Sequence, residues 1–401
     1  MTERIYYTDP YCREFDAQVL DVTTDGHGRH LAVLDRTAFY PTSGGQPSDT
    51  GTLGAARVVD VIDRDGGTIM HVIEGEVQPG AINGRIDWDR RFEHMQQHTG
   101  QHVLSAAFDH LLGARTVSSH LGAVSATIDL AVDAAPGDIA RAEAEANRIV
   151  WEDRPVHIRF ADADEAATLP LRKEPARGGR LRLIDVEGFD LSACGGTHVA
   201  RTGAIGSVAV ASWERVRGGT RVEFLCGVRA LRGWRALRDS VAASTRLLSV
   251  LPAEVPAAIE RLQAEGREAT RRLKNAHASL AGVEADALAA AAVRRGGIAV
   301  VAAAMSGWDA NGLKQIASRI VERPGFAAVL VSEPEPAALV VARSGDVALD
   351  SASILRDLTA RFGGKGGGRP ELAQGGGLRG PAAEIVEDAS RLLLNGLMAG
   401  S

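Results

Sequence analysis

The sequence predicts a multidomain α+β protein, with a small N-terminal β-barrel, a central α+β domain, a helical linker and a small C-terminal α/β domain. Three observations carry this reading. Hydrophobic residues run with period two before residue 88, with mixed periods up to about 235, and with helical period from about 236 to 292. Strand-like and helical runs alternate from there onward. At 401 residues the chain is long for a single core, and its 45% apolar content can fill several.

Residues 1–88 hold the runs Asp16–Val22, His30–Asp35 and Ala56–Ile62, separated by turns rich in Gly and Asp, which predicts a small barrel or barrel-like sheet. The loop Phe39–Gly51 carries Gly44, Gly45 and Gln46 among small polar residues, so a ligand can approach its backbone closely. Residues 89–235 form a second domain. It begins with a helix over Arg91–Phe108, followed by a strand at Val124–Leu130 and a helix near Ile139–Asp153. A β-rich stretch then carries Cys194, and the runs Ile205–Ala211 and Thr220–Leu225 read as paired strands flanking Gly218-Gly219. Residues 236–292 are helical in pattern, broken by Pro252 and Pro256, with basic residues at Arg267, Arg271, Arg272 and Lys274. Such an arm connects domains or dimerises, and its basic face is more often solvated than bound to RNA. Residues 293–401 read as strand, helix, strand, strand, helix, at Ile298–Val301, Leu313–Val321, Ala327–Val331, Ala338–Ala342 and Ala352–Phe362. The glycine-rich run Phe362–Gly377 includes Lys365 and Arg369 and reads as either a phosphate-binding nest or a surface loop. It lacks the Gly-Lys-Ser/Thr spacing of a Walker loop.

Composition narrows the function. Only 4% of residues are aromatic, so stacking platforms for single-stranded nucleic acid are scarce. A net charge of −6 argues against non-specific binding to polyanions, although local basic patches remain able to contact phosphates. Three cysteines, Cys12, Cys194 and Cys226, do not make a disulfide framework, and the first residues lack the apolar run of a signal peptide. A soluble cytoplasmic protein with no membrane span is expected.

Two short motifs point to chemistry. His98-Thr-Gly-Gln-His102 lies in a helical pattern, so its imidazoles, at i and i+4, share a face. Cys194-Gly-Gly-Thr-His198 has two glycines that let the backbone turn and bring thiolate and imidazole toward one point. Three imidazoles and a thiolate suit Zn2+. His94, one turn before His98, is a spare candidate read as a supporting or surface histidine. No Glu sits between the helical histidines as in His-Glu-x-x-His metalloproteases, which disfavours peptide hydrolysis.

Four segments in one order, Phe39-Tyr-Pro with Ser43-Gly-Gly-Gln-Pro, His98-Thr-Gly-Gln-His-Val-Leu, Cys194-Gly-Gly-Thr-His-Val with Arg201-Thr-Gly-Ala-Ile-Gly, and Gly363-Gly-Lys-Gly-Gly-Gly-Arg-Pro, span nearly the whole chain. In these the sequence resembles the free-standing alanyl-tRNA editing proteins called AlaX, in their long form, and equally the editing and C-terminal regions of alanyl-tRNA synthetase. The resemblance implies a zinc-dependent aminoacyl-tRNA deacylase that hydrolyses serine, with glycine as a second substrate, from mischarged tRNA(Ala). It implies His98, His102, Cys194 and His198 as metal ligands, and His98, His102 and Cys194 as the catalytic group. It also implies residues 89–235 as the editing domain and residues 293–401 as a DHH-associated tRNA-binding domain, with ATP binding by family association alone. The aminoacylation module of the synthetase is expected to be absent, so the chain should hydrolyse without charging. Where the family often has Glu-Gly before Gly-Gly-Gln, this chain has Thr42-Ser43.

Selecting serine over alanine requires groups that hydrogen-bond the extra hydroxyl. Candidates are Gln46, Thr99, Gln101 and Ser118-Ser119-His120, with Ser119 aligned, allowing a one-residue shift, to the family position that contacts this hydroxyl. Gly44 and Gly45 would hold water through their N–H groups, while zinc orients the substrate. Lys365 and Arg369 are the candidate RNA contacts, and a homodimer through the helical arm and C-terminal domain is a further expectation. The alternatives are a non-catalytic tRNA-binding factor with structural zinc, a deacylase for a threonine tRNA, and a phosphoesterase. The Asp-His-His signature of the last is not found in the sequence.

Overall fold

The computed structural model describes residues 1–26, 28–64, 67–172, 180–333 and 335–399. Residues 27, 65–66, 173–179, 334 and 400–401 lie outside that description. The chain divides into two compact units, Met1–Leu247 and Leu248–Ser401.

The first unit opens with six strands that close into an antiparallel ring. Their order is Glu14–Thr24, His30–Leu34, Thr68–Glu74, Ala56–Arg64, Gly51–Leu53 and Gly80–Ile86, the last pairing with the first. Period-two patterning is the cause: in the first strand Phe15, Ala17 and Val19 turn inward and meet Leu34, Phe39, Leu53, Val61 and Ile69.

A helix, α1, follows at Trp88–Leu112, started by Asp87, whose side chain accepts from the N–H of Arg90. Most of α1 is buried, because it packs on a second helix, α2 (Pro136–Trp151), and on a four-stranded sheet. Ile139, Ala142, Ala146 and Ile149 of α2, spaced three and four apart, join Met95, Val103, Leu104 and Phe108 of α1 in one core. The sheet has the order Val208–Val216, Gly219–Cys226, Ala126–Leu130, Thr116–Leu121. A Cβ on Gly100 would stand 2.2 Å from the Cys226 sulfur, so the middle residue of the helical motif must be glycine for α1 to lie this close to the sheet.

The strand expected at Val124–Leu130 begins at Ala126, and its partner Thr116–Leu121 was not foreseen. That partner lies at the sheet edge and buries little beyond Leu121, so it carries no apolar alternation. A separate antiparallel sheet of Val156–Ala161, Leu181–Val186 and Asp190–Ala193 delivers Cys194 at its end.

A buried ion pair ties α1 to the N-terminal ring. The Arg91 guanidinium donates from Nε to both Asp49 oxygens (3.1 and 3.0 Å), from Nη1 to the Pro10 carbonyl (2.7 Å), and from Nη2 to the Ala38 carbonyl. Both side chains have no exposed surface, and Asp49 also accepts the Tyr40 N–H at 2.6 Å.

The helix expected from residue 236 starts nine residues earlier, at Gly227, directly after a strand, and runs to Leu248. Pro256 does not break the arm. It sits in the first turn of the helix Val255–Ala290, where no intrahelical N–H is required.

In the second unit six strands form a sheet in the order Val293–Arg295, Ile298–Ser306, Phe326–Glu333, Ala337–Arg343, Leu372–Leu378, Lys365–Arg369. Only the pair Ile298–Ser306 and Phe326–Glu333 is parallel. The central strands are apolar throughout because both faces are covered. Val329, Val331, Leu339 and Val341 face the helices Ser351–Phe362 and Ala382–Ala399, while Ala328, Leu330, Val340 and Ala342 face the helix Ala310–Val321 and the end of the long helix. The glycine-rich run is neither nest nor loop but the hairpin Lys365–Arg369/Leu372–Leu378. Backbone N–H groups alternate in direction along a strand, so they do not converge on one anion there. Among the described residues no helix is long and apolar enough to cross a membrane.

Candidate metal centre

Helix α1 and the end of the three-stranded sheet bring His98, His102, Cys194 and His198 together, with one ligand atom of each lying within 4.8 Å of all the others. The Cys194 sulfur is 3.3 Å from Nε2 of both His98 and His198, and the ring centroids of the three histidines are 4.4–5.4 Å apart. These four residues could hold a metal ion.

Every imidazole is held through its other nitrogen. His98 Nδ1 meets Gln46 Oε1 at 2.8 Å, His102 Nδ1 meets Asp190 Oδ2 at 3.1 Å, and His198 Nδ1 meets Thr99 Oγ1 at 3.2 Å. With each Nδ1 so engaged, the Nε2 atoms are the ones left to face a common point, which is the arrangement metal-binding histidines require. The orienting groups are themselves fixed. Gln46 donates to Thr197 Oγ1 at 2.8 Å and accepts the Thr197 N–H at 3.1 Å, and Thr99 accepts the Val199 N–H at 3.1 Å. Asp190 accepts from Arg172 Nε at 2.6 Å.

Gln46 reaches its place through a tight turn. Ser43 and Gln46 exchange backbone hydrogen bonds of 3.1 and 2.9 Å across Gly44 and Gly45, both at positive φ, as a two-residue hairpin turn demands. The Leu121 N–H donates to the Gly45 carbonyl at 3.2 Å, clipping the turn to the edge strand.

The donor chemistry agrees with a cation. Burial raises the pKa of the Cys194 thiol, but hydrogen bonding and charge from His102, the Gly196 N–H and Arg182 outweigh it, so the net shift favours thiolate. Burial, reinforced by His98, His102 and Arg182, keeps the His198 pKa well below its ordinary value, leaving the neutral form that can coordinate. Asp190 is pushed up by burial and down, more strongly, by hydrogen bonds and charge from His102 and Arg172, so it stays ionised.

The second glycine of the Cys194 motif serves space more than turning. A Cβ on Gly196 would stand 2.1 Å from Cε1 of His98, whereas one on Gly195 meets nothing closer than the Tyr7 hydroxyl at 3.5 Å. Gly196→Ala should therefore push His98 off Gln46 and weaken metal binding about 10–100-fold, the usual cost of losing an orienting partner. Gly195→Ala should bind metal normally. Titration of both variants against a chromophoric chelator separates these outcomes, and equal affinity would refute the steric account.

A cavity of about 150 Å³ opens beside the cluster, lined by His98, His102 and Cys194 together with Gly44, Gln101, Ser118, Ser119, Arg172 and Ser192. At about 30 Å³ per water this holds about five waters, which suits a small acyl group. Three expected substrate contacts, Gly44, Gln101 and Ser119, lie in its wall. The others do not. Gln46 and Thr99 are fully buried with their polar atoms turned to His98 and His198, Gly45 packs on the Ser119 backbone, and His120 is exposed away from the wall. His94 is buried outside the four-residue group, and its Nδ1 has no partner among the described residues. Burial, with the charges of Arg90, Arg229, Arg91 and His98, lowers its pKa to about 3. Lys365 and Arg369 are in the second unit, on a strand exposed along its whole length. Asp190 and Arg172 were missed by the sequence reading, as no motif or period marks either.

Two parts of the chain match known domain families. Residues 181–223, which include Cys194 and His198, match the family described as the threonyl and alanyl tRNA synthetase second additional domain, and residues 297–395 match the DHHA1 domain. Similar proteins include the alanine–tRNA ligase of Pyrococcus abyssi, 34% identical over 93% of this chain and 42% of the relative. That of Methanoregula boonei is 35% identical over 94% and 42%, and that of Halobacterium salinarum 36% over 97% and 43%. A solved C-Ala domain of Aquifex aeolicus alanyl-tRNA synthetase aligns with 26% of this chain and 96% of its own, at 22% identity and a TM-score of 0.24. Both domains in one chain, together with these relatives, fit an AlaX-like protein. It spans about 42% of the length of the curated relatives it matches.

Proposed function

We propose that the chain is a trans-editing aminoacyl-tRNA deacylase acting on tRNA(Ala) mischarged with serine, with glycine as a second substrate. The observation that carries this reading is the small cavity walled by Gln101, Ser118 and Ser119 and by His98, His102 and Cys194 of the four-residue cluster. The matched families and relatives support an alanyl-tRNA editing or tRNA-binding role.

His98, His102, Cys194 and His198 would hold Zn2+, which, when bound, polarises a carbonyl or lowers the pKa of a water to about 7. In this reading His98, His102 and Cys194 serve the chemistry as ligands, each locked by a neighbour, while Gln46, Asp190 and Thr99 keep the rings from turning. The cavity receives the aminoacyl group. Ser118, Ser119 and Gln101 offer partners to the serine hydroxyl, partners left unpaired when alanine enters. Water adds to the ester carbonyl carbon, the bond to the ribose oxygen breaks, and that oxygen takes the proton, giving free serine and uncharged tRNA. Lys365 and Arg369, on the exposed strand of the second unit, contact the RNA backbone. The exposed Leu231, Trp234, Leu237 and Val241 of the helix Gly227–Leu248 suit a homodimer.

Deacylation of seryl-, glycyl- and alanyl-tRNA(Ala) by the zinc-loaded chain tests the reading. Hydrolysis of seryl-tRNA at least about 10²-fold faster than alanyl-tRNA is expected, and joint Ala substitution of Lys365 and Arg369 should raise KM with kcat unchanged. Equal rates on all three substrates would overturn selectivity. A four-ligand set is also the pattern of closed structural zinc sites. Tight tRNA binding without ester loss would favour a non-catalytic tRNA-binding factor.

A further inference from the structure

Among the described residues lining the cavity beside the four-residue cluster, Arg172 alone carries a permanent charge. Its setting is unusually fixed for an arginine. The Arg172 N–H donates to the Leu191 carbonyl at 3.0 Å, Nε donates to Asp190 Oδ1 at 2.6 Å, and Nη2 donates to Asp190 Oδ2 and Ser192 Oγ at 3.2 and 3.1 Å. Asp190 has no exposed side-chain surface and holds His102, so the guanidinium is anchored to the same carboxylate that orients a metal ligand. Nη1 is the one guanidinium nitrogen with no partner among the described residues, and the side chain keeps 13% of its surface.

A locked, mostly desolvated cation with unused N–H donors selects what can lie against it. It repels the α-ammonium of an aminoacyl group and gains less from a neutral hydroxyl than from an anionic oxygen. It favours an oxygen that gains negative charge, and because a guanidinium does not deprotonate at working pH it does so without any proton transfer of its own. In an aminoacyl ester that oxygen is the carbonyl oxygen, which becomes anionic as water adds to carbon. A donor already held in place loses no orientation when the charge forms.

We propose that Arg172 is a catalytic residue whose Nη1 donates to the acyl carbonyl oxygen of the aminoacyl ester and stabilises the oxyanion formed on hydrolysis; this rests on the deacylase reading above. The Asp190 clamp gives the guanidinium its direction, and one carboxylate thereby sets both a metal ligand and the oxyanion donor.

The test uses the full zinc-loaded chain and 3′-(seryl)amino-3′-deoxyadenosine, in which an amide that cannot be hydrolysed replaces the ester. Calorimetry gives its Kd for the unaltered chain, Arg172→Met and Arg172→Lys, with zinc content measured on each sample. Arg172→Met should keep its zinc, bind the amide about 10–100-fold more weakly, as for loss of a charged hydrogen bond, and hydrolyse seryl-tRNA with kcat reduced about 10²–10³-fold. Arg172→Lys, which keeps the charge without the fork, should fall between; it carries the test if the Met variant does not fold. Unchanged Kd in a zinc-replete variant overturns the proposal, as does a defect cured entirely by saturating zinc, since Arg172 would then act only through Asp190 and His102. Failure of the unaltered chain to bind the amide also overturns it. Failure to hydrolyse seryl-tRNA, with amide binding still dependent on Arg172, sinks the deacylase reading alone.

Discussion

Cys194→Ala is expected to strip the metal from the chain and reduce seryl-tRNA hydrolysis to background. The Cys194 sulfur is the shared neighbour of the site, 3.3 Å from His98 Nε2 and from His198 Nε2, and it accepts the Gly196 N–H at 3.4 Å. It is also the one anionic donor in the four-residue set, and its lowered pKa makes thiolate available. Removing it leaves three imidazoles and no anionic donor around a buried point, so no ligand charge offsets the cost of bringing a dication in from water. Loss of an orienting partner typically costs about 10–100-fold in metal affinity, and loss of a ligand should exceed that. Metal content by atomic emission and affinity by chelator competition measure the first effect, and single-turnover deacylation the second. Full metal content with normal hydrolysis would remove the cluster from the chemistry.

The largest effect on stability is expected at Arg91. Arg91→Met leaves the Asp49 carboxylate buried with the Tyr40 N–H at 2.6 Å as its remaining partner among the described residues, and breaking one side of a fully buried pair typically costs about 3–5 kcal/mol. For a unit of this size that lowers the melting temperature by roughly 6–20 °C. The double variant Arg91→Met/Asp49→Leu should regain much of the loss, because no charge is stranded. Calorimetric melts of the two single variants and the double variant complete the cycle. Additive losses would show that the pair is not coupled.

Several parts of this fold were legible because they repeat. Inward Phe15, Ala17 and Val19 announce a strand, and the apolar strands of the second unit announce a sheet covered on both faces. His98 and His102 share a face for any sequence that is helical there, and a motif ninety-odd residues on supplies the complementary thiolate and imidazole. What failed to show was contact across long separations. Gln46 was read as a substrate contact, yet its amide lies against His98 and Thr197, the latter 151 residues away. Asp190 and Arg172 belong to no period, and the edge strand Thr116–Leu121 is too exposed to have one. The glycines of residues 363–377 were read for the freedom they give, while in the folded chain they let two strands pair closely.

The sequence by itself pointed to the four residues that the fold gathers into one cluster and to most of the helices and strands, because each depends on residue type and on spacing within one helix or strand. Tertiary structure decided the rest: which nitrogen of each histidine is held by an orienting group, which polar residues do that holding, and which cation lines the cavity. Those outcomes are set by hydrogen bonds and steric limits between segments tens to hundreds of residues apart. A side chain's identity fixes what it can donate or accept, but only the packed chain fixes what stands within 3 Å of it.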